Sequence, residues 1–193
     1  MADRMTVLQR SKCMSHIRSR NTGPERIVRK ELYSRGFRYR LNCTSLPGTP
    51  DLVLHKYRTA VFVNGCFWHG HENCPKYVRP SSNAAFWNAK VEANRKRDAK
   101  VIAHLEALGW FVMTIWECEL SPDRLYETMA SVETEIRANR FRFISRKEEA
   151  RKRKAELSSR DHDDKLKEAE RSREALSGKK IPREVRLLSK HSD

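Results

Sequence analysis

The chain has 193 residues and a formal charge of +15, from 40 lysines and arginines against 25 aspartates and glutamates. This charge indicates a polyanionic partner, and duplex or single-stranded nucleic acid is the first class to consider. A membrane surface is the weaker alternative, because no apolar run spans a bilayer and the N-terminus lacks an apolar signal stretch, so we expect a soluble, intracellular protein.

The charge and the apolar residues divide the chain into two parts. Residues 1–140 have the size and the apolar content of one packed domain. Residues 141–193 hold 17 lysines and arginines, 11 acidic residues and few large apolar groups. We predict a charged, basic C-terminal extension that is helical or disordered, and not a second domain.

The first predicted helix covers residues 23–35. Thr22 and Glu25 have the spacing of a capping box, Pro24 is tolerated in a first helical turn, and Gly36 suits the helix end.

A strand is expected next, because Phe37, Tyr39 and Leu41 alternate with arginines and predict one buried face. The runs "DLVLH" (51–55) and "TAVFVN" (59–64) are short, apolar and rich in β-branched residues, which predicts a hairpin.

The second half of the domain predicts helix, strand and helix. The expected elements are a helix over 82–108 capped by Ser82, a buried strand "WFVMTIW" (110–116), and a last helix opening at Ser121-Pro122. The whole order is α-β-β-β-α-β-α, which indicates an α/β fold with a central mixed sheet flanked by helices.

Cysteine and histidine cluster in "CFWHGHENC" (66–74). Five cysteines in a chain expected inside the cell indicate reduced thiols, and Cys66, His71, Cys74 and the distant Cys118 make a complete tetrahedral set for structural zinc. Buried free thiols are the alternative explanation, and His69 could replace His71 as the fourth ligand.

Asp51 begins a strand after the proline turn "PGTP" and predicts a Mg²⁺ site. The hairpin partner leads into the cysteine-rich loop, so the carbonyl of Val63 and the ring of His69 could lie near Asp51. A histidine beside such an ion can accept a proton from the attacking water. A turn aspartate and a surface histidine are the simpler alternatives.

Three aromatic residues, Phe67, Trp68 and Trp87, belong to the loop and to the helix that follows it. In a basic protein such a group suits stacking on bases or wedging into a duplex, although aromatic residues more often belong to a core.

In this order, the motifs resemble the very short patch repair DNA mismatch endonucleases, which belong to the restriction-endonuclease-like superfamily. The resemblance covers about residues 8–140 in five colinear blocks. These are "RSKCMSHIRSRNTGPE" (10–25), "LPGTPDLVL" (46–54), "VFVNGCFWHGHENC" (61–74), "FWNAKVEANRKRD" (86–98) and "LGWFVMTIWECEL" (108–120).

The resemblance implies a nick in one strand of duplex DNA, 5′ to the mispaired T of a T·G mismatch that arises from 5-methylcytosine deamination. It implies Mg²⁺ for catalysis, structural Zn²⁺, possible contacts with mismatch-repair proteins, a monomer, and a cytoplasmic, nucleoid-associated, bacterial-type enzyme.

The resemblance also implies a role for each matching residue. Asp51 and the Val63 carbonyl would hold Mg²⁺, and His69 would be the catalytic histidine, supported by Glu25 and Asp98. The zinc ligands and the DNA-contacting residues would be as follows: Cys66, His71, Cys74 and Cys118 for zinc, and Met14, Phe67, Trp68 and Trp87 for DNA.

Two departures limit the resemblance. The wider superfamily follows its aspartate with a D/E-x-K motif that "VFVNG" lacks, and Asn64 stands where some relatives have another histidine. The repair family shares the loss of the D/E-x-K motif, which shifts the proton transfer to His69. The runner-up is a restriction-like or structure-directed endonuclease on the same scaffold with a different mismatch or sequence preference, and a non-catalytic zinc protein that binds DNA is the third hypothesis. The extension lies outside the resemblance, and it is either solvated charge or a source of phosphate contacts.

Overall fold

The computed structural model describes Thr6, residues 8–9, Lys12, and residues 20–78 and 83–177. The predicted order of helices and strands is confirmed. The elements are α1 (Gly23–Ser34), β1 (Arg40–Leu41), β2 (Leu52–Leu54), β3 (Thr59–Asn64), α2 (Ala84–Ala107), β4 (Phe111–Trp116) and α3 (Leu125–Ser177), with 3₁₀ turns at His55–Tyr57 and Glu117–Leu120.

The four strands form one mixed sheet in the order β1-β2-β3-β4. β1 pairs with β2 and β2 with β3 in antiparallel fashion, which confirms the predicted hairpin. β3 and β4 are parallel and pair over six residues, from Thr59 opposite Phe111 to Asn64 opposite Trp116. The parallel pair is joined through α2, as a crossover between parallel strands requires.

Helices cover both faces of the sheet. Side chains alternate along the strands, so each strand contributes residues to both faces. Leu52 and Leu54 point to one face, where they pack with α1 and α3, and Val53 points to the other, where it packs with Leu105 of α2. Burying both faces accounts for the near-continuous apolar run of β2.

The capping box predicted for α1 is present. Thr22 accepts a hydrogen bond from the Glu25 amide, and the Glu25 carboxylate accepts one from the Thr22 amide. α1 ends at Ser34, close to the predicted end at 35.

Some boundaries and exposures differ from the sequence predictions. The first strand is only two residues long, and Leu41 is 44 % exposed and not buried. α2 begins at Ala84 after Asn83, and the predicted cap Ser82 lies outside the described residues. Phe86 is exposed, and the first buried residue of α2 is Val91.

The chain divides into two compact units, Met1–Ile144 and Ser145–Asp193. In the second unit the described residues continue α3 as a helix to Ser177, and the side chains described there are exposed. Among the helices that the structure describes, none has the length and apolar content to cross a membrane.

Candidate active site and metal centre

An open cleft of about 850 Å³ lies in the first unit and contains acidic and histidine side chains from five parts of the chain. It is lined by the start of α1, the turn before β2, the end of β3 with the loop that follows, α2, and β4 with the 3₁₀ turn after it. The predicted site residues in its lining are Glu25, Asp51, Val63, Trp68, His69 and Asp98.

Asp51 lies directly before β2 and points across the hairpin. Its Oδ2 accepts a hydrogen bond from the Val63 amide at 2.8 Å. Burial raises the pKa of Asp51, the Val63 N–H opposes that rise, and the negative charge of Glu25 adds to it. Within the described chain Oδ1 accepts no hydrogen bond, so one carboxylate oxygen remains available to a cation.

Glu25 is buried at the N-terminus of α1, with both of its oxygens hydrogen-bonded. Oε1 accepts from the Thr22 amide and hydroxyl, and Oε2 accepts from the Asn21 amide and from Arg29. The same carboxylate therefore caps the helix and supplies negative charge close to Asp51.

His69 is oriented by a carboxylate. Its Nδ1 lies 2.5 Å from Oδ2 of Asp98, and Arg97 contacts the other oxygen of Asp98 at 3.3 Å. A carboxylate on Nδ1 favours the tautomer with the proton on that nitrogen, which leaves Nε2 as an acceptor. A histidine held this way has the arrangement of a general base.

Asn94 is a site residue that the sequence analysis missed. It is buried in α2, its amide donates to the Trp68 carbonyl at 2.7 Å, and its own oxygen accepts from Arg97. Because Asn94 and Asp98 are four residues apart, one face of α2 fixes two consecutive loop residues, Trp68 and His69. The i,i+4 spacing of two polar residues on the helix that follows the loop was the available signal.

The aromatic residues form a cluster of edge-to-face contacts at the mouth of the loop. The ring centroids of Phe67 lie 5.1 Å from Trp68 and 5.3 Å from Trp87, and Phe86 packs on Trp87 at 5.2 Å. The rings of the three predicted residues are only partly buried. The predicted contact residue Met14 lies outside the described residues.

The predicted cysteine and histidine ligands converge. The ligand atoms of Cys66, His71, Cys74 and Cys118 all lie within 4.8 Å of one another, so the group could hold a metal ion. Nδ1 of His71 is 3.3 Å from the Cys118 sulfur and 3.6 Å from the Cys66 sulfur. His71, and not His69, lies in this group.

The surroundings of this cluster suit a bound cation. Burial raises the pKa of the Cys66 thiol to about 12, so a thiolate at this position needs a positive ion beside it. The His71 ring stacks on Trp116 with centroids 4.1 Å apart, and the His71 amide donates to the Cys66 carbonyl at 2.9 Å. The ring is therefore held from both the strand and the loop.

Residues 2–76 match the family model "DNA mismatch endonuclease Vsr". Over 121 residues the chain is 48 % identical to "Type II nicking enzyme V.XorIIP" of Xanthomonas oryzae pv. oryzae, an alignment that covers 63 % of this chain and 88 % of that protein. It is also 48 % identical over 120 residues to "Type II nicking enzyme V.NmeAIP" of Neisseria meningitidis, covering 62 % and 85 %.

A third relative is "DNA mismatch endonuclease Vsr" of Escherichia coli K12, 40 % identical over 120 residues that cover 62 % of this chain and 76 % of that protein. The mixed sheet, the cleft and these relatives define the class of the protein, a DNA endonuclease and hence a hydrolase. The chain belongs to the Vsr family of DNA mismatch endonucleases.

The loop geometry predicts that Gly70 tolerates no side chain. Gly70 has φ +63°, and a Cβ there would lie 2.5 Å from Cγ1 of Val91 in α2. We expect Gly70→Ala to lower the free energy of unfolding by about 1–3 kcal/mol. Gly23→Ala is the control, because Gly23 has open space around its Cα. Equal stability of the two variants in denaturant titrations would contradict this geometry.

The raised pKa of Asp51 predicts that this residue makes the protein less stable as the pH rises. Because burial raises the pKa of Asp51, the wild-type protein loses stability as the pH rises from the usual carboxyl pKa through the raised one. Asp51→Asn keeps an oxygen for the Val63 amide and removes the charge. Without added divalent ions we expect it to stabilise the fold by on the order of 1 kcal/mol at neutral pH.

This gain in stability should vanish in acid, where the wild-type carboxyl is already neutral. Asp123→Asn is the control of opposite sign, because a hydrogen bond with the Ser121 side chain lowers the pKa of Asp123. Replacing this carboxylate by an amide costs stability at neutral pH and not in acid. Denaturant titrations from about pH 2 to pH 8 make the measurement, because the contribution of Asp123 is lost only below the usual carboxyl pKa. A gain for Asp51→Asn that is the same at every pH would refute the assignment.

Proposed function

We propose that this protein nicks one strand of duplex DNA immediately 5′ to the mispaired T of a T·G mismatch and so initiates very short patch repair. The proposal rests on one observation: consecutive residues of one loop belong to the aromatic cluster and to the acidic cleft. Phe67 and Trp68 belong to the aromatic cluster, and His69, the next residue, faces Asp98 in the acidic cleft. Membership of the family and the names of the relatives support the same reaction.

In the proposed mechanism His69 is the general base. With Asp98 on its Nδ1, Nε2 accepts a proton from the water that attacks the scissile phosphorus, and the 3′ oxygen leaves as the P–O bond breaks. Asp98 holds the ring in orientation and stabilises the imidazolium that forms. Glu25 is the second acidic residue of the site, and it acts through the charge that it places near Asp51.

Asp51 and the carbonyl of Val63 are the proposed protein ligands of Mg²⁺. The fit rests on Asp51, which is buried, close to a second carboxylate and has one oxygen that accepts no hydrogen bond in the described chain. Mg²⁺ takes one or two protein oxygens and completes its shell with water and phosphate, so this donor set is sufficient. When bound, the ion supplies a positive charge that stabilises the charge developing on the phosphate oxygens.

The aromatic cluster is the proposed reader of the mismatch. Phe67, Trp68 and Trp87 make edge-to-face contacts with each other, which they would exchange for contacts with bases. Inserting rings between base pairs costs a few kcal/mol of unstacking, and the cost is lowest where the pairing is already distorted. Met14 is proposed to contact the duplex from the minor groove.

Structural Zn²⁺ is the proposed occupant of the cysteine and histidine cluster. A tetrahedral ion with Zn–S near 2.3 Å and Zn–N near 2.1 Å separates its ligand atoms by roughly 3.5–3.8 Å. The distances from His71 to Cys66 and Cys118 are close to this spacing. Four protein ligands leave no open position, so the ion holds the loop and takes no part in hydrolysis.

We further propose that the enzyme acts as a monomer in the cytoplasm, at the nucleoid, together with other mismatch-repair proteins. A charge of +15 favours association with DNA.

The nicking assay tests the reaction. A duplex with one T·G pair should be cut on the T strand in Mg²⁺, and His69→Ala should lower the single-turnover rate by about 10²–10⁴-fold while DNA binding persists. Asp98→Asn, which weakens the orientation of the ring, should lower the rate by about 10–100-fold. His104→Ala is the control, because His104 is exposed in the last turn of α2.

A panel of T·G, T·C and fully paired duplexes separates the alternatives. Cutting of several mismatches at equal rates would favour a structure-directed endonuclease, and absence of cutting with every divalent ion would favour a protein that only binds DNA. Full activity of His69→Ala would show that the general base is wrongly assigned.

The zinc proposal predicts about one zinc per chain in the purified protein. Cys118→Ser should lose the metal and unfold at a lower temperature, because the loop then has no link to the end of β4. Cys43→Ser is the control, since Cys43 is also free but lies outside the cluster. Mass spectrometry under native conditions gives the metal content, and a zinc-loaded Cys118→Ser protein would refute the ligand set.

A further inference from the structure

The second unit contains a helix without an apolar side. Every described side chain from residue 145 to 173 is exposed. Between residues 145 and 173 its large apolar residues are Leu157 and Leu166, which are 60 % and 49 % exposed and lie nine positions apart, on opposite sides of a helix. Over these residues the helix therefore has no apolar seam for a coiled-coil partner and no apolar face for insertion into a membrane surface.

Five of the eleven cations between residues 145 and 173 have an acidic residue four positions earlier. An acid four positions before a base is the favourable orientation and adds about 0.2–0.5 kcal/mol to helix stability per pair. The pairs with this spacing are Glu148 with Lys152, Glu149 with Arg153, Glu156 with Arg160, Asp161 with Lys165, and Asp163 with Lys167. This spacing favours a helix whose described side chains are exposed.

The other six cations lack such an acid, and three of them, Lys147, Arg151 and Lys154, share one face of the helix at spacings of four and three. We call them the basic stripe. Four positions before them stand Phe143, Lys147 and Ala150, none of which is acidic, and Glu148 stands three positions before Arg151. Each residue of the stripe has a like charge as its neighbour on the face, and within the described chain none of the three makes an ion pair. The five pairs above do not close as ion pairs there either, so the like-charged neighbours are what distinguish the stripe. Such neighbours destabilise a helix when they have no partner.

We propose that the basic stripe binds the phosphate backbone of duplex DNA, and this rests on the proposed function, which supplies the DNA. A rise of ~1.5 Å per residue separates Lys147 from Lys154 by about 10 Å along the helix. Four successive phosphates of one strand cover a similar distance, because they are separated by three steps of ~3.4 Å axial rise. The contact carries no sequence information, so it holds the enzyme on DNA before and after the mismatch is found.

The test compares two triple variants of the full chain that lose the same charge. The stripe variant is Lys147→Gln, Arg151→Gln and Lys154→Gln. The control variant is Arg153→Gln, Arg160→Gln and Lys167→Gln, which also lie on one face but have acidic residues four positions earlier. Circular dichroism should show that both keep the helix.

The measurement is the affinity for a fluorescent duplex between 50 and 300 mM salt, without added divalent ions. We expect the stripe variant to lower the slope of log K against log salt by about 2–3 and to bind at least tenfold more weakly at 100 mM salt, because each lost phosphate contact removes about 0.9 from the slope. The control variant should change the slope by less than one, on fully paired and on T·G duplexes alike.

Equal losses in the two variants would show that only net charge matters and would overturn the proposal, as would an unchanged slope in the stripe variant. If the stripe variant keeps the wild-type salt slope for DNA but no longer binds phosphatidylserine vesicles, the stripe is a membrane contact instead. The nicking panel is scored separately at low salt with saturating enzyme. If the wild-type protein does not nick T·G duplexes while the stripe variant still shows the lower salt slope, the proposed function is rejected and the stripe remains a DNA contact.

Discussion

The parallel pairing of β3 with β4 is the constraint on which the site depends. The register places Asn64 opposite Trp116, and two residues after each of them come Cys66 and Cys118. Equal offsets from a paired position bring the two sulfurs to the same end of the sheet, although 52 positions separate them in sequence. A shift of the register would separate these ligands, so strand pairing and the cysteine and histidine cluster stabilise the same arrangement.

Two separate sets of contacts therefore fix the loop between β3 and α2. The cluster holds Cys66, His71 and Cys74, and α2 holds Trp68 and His69 through Asn94 and Asp98. The residues of proposed function lie between these two attachments. A loop with fixed ends and a fixed middle loses little entropy when a substrate binds, which is the physical condition for a preorganised site.

Local patterns predicted those parts of the molecule that local interactions determine. The capping box at Thr22 and Glu25 and the β2–β3 hairpin were predicted because each is decided by residues close in sequence. Leu41 was predicted to be buried and is exposed, since alternation gives the period of a strand but not which neighbours cover it. Asn94 was missed for the same reason, because its partner is a loop carbonyl 26 positions away.

The protein is basic as a whole but acidic in its cleft, and the proposed Mg²⁺ would offset the charge of the cleft. The field of a +15 chain attracts DNA from a distance, whereas the cleft concentrates Glu25, Asp51, Asp98 and Glu117 where a phosphate would have to lie. Burial, together with the negative charge of Glu25, already raises the pKa of Asp51 within the protein itself. In the proposed mechanism a divalent cation offsets the negative charge of the cleft only when it is bound, so binding and hydrolysis become separable. The basic surface would then hold DNA without the ion, and cutting would require it.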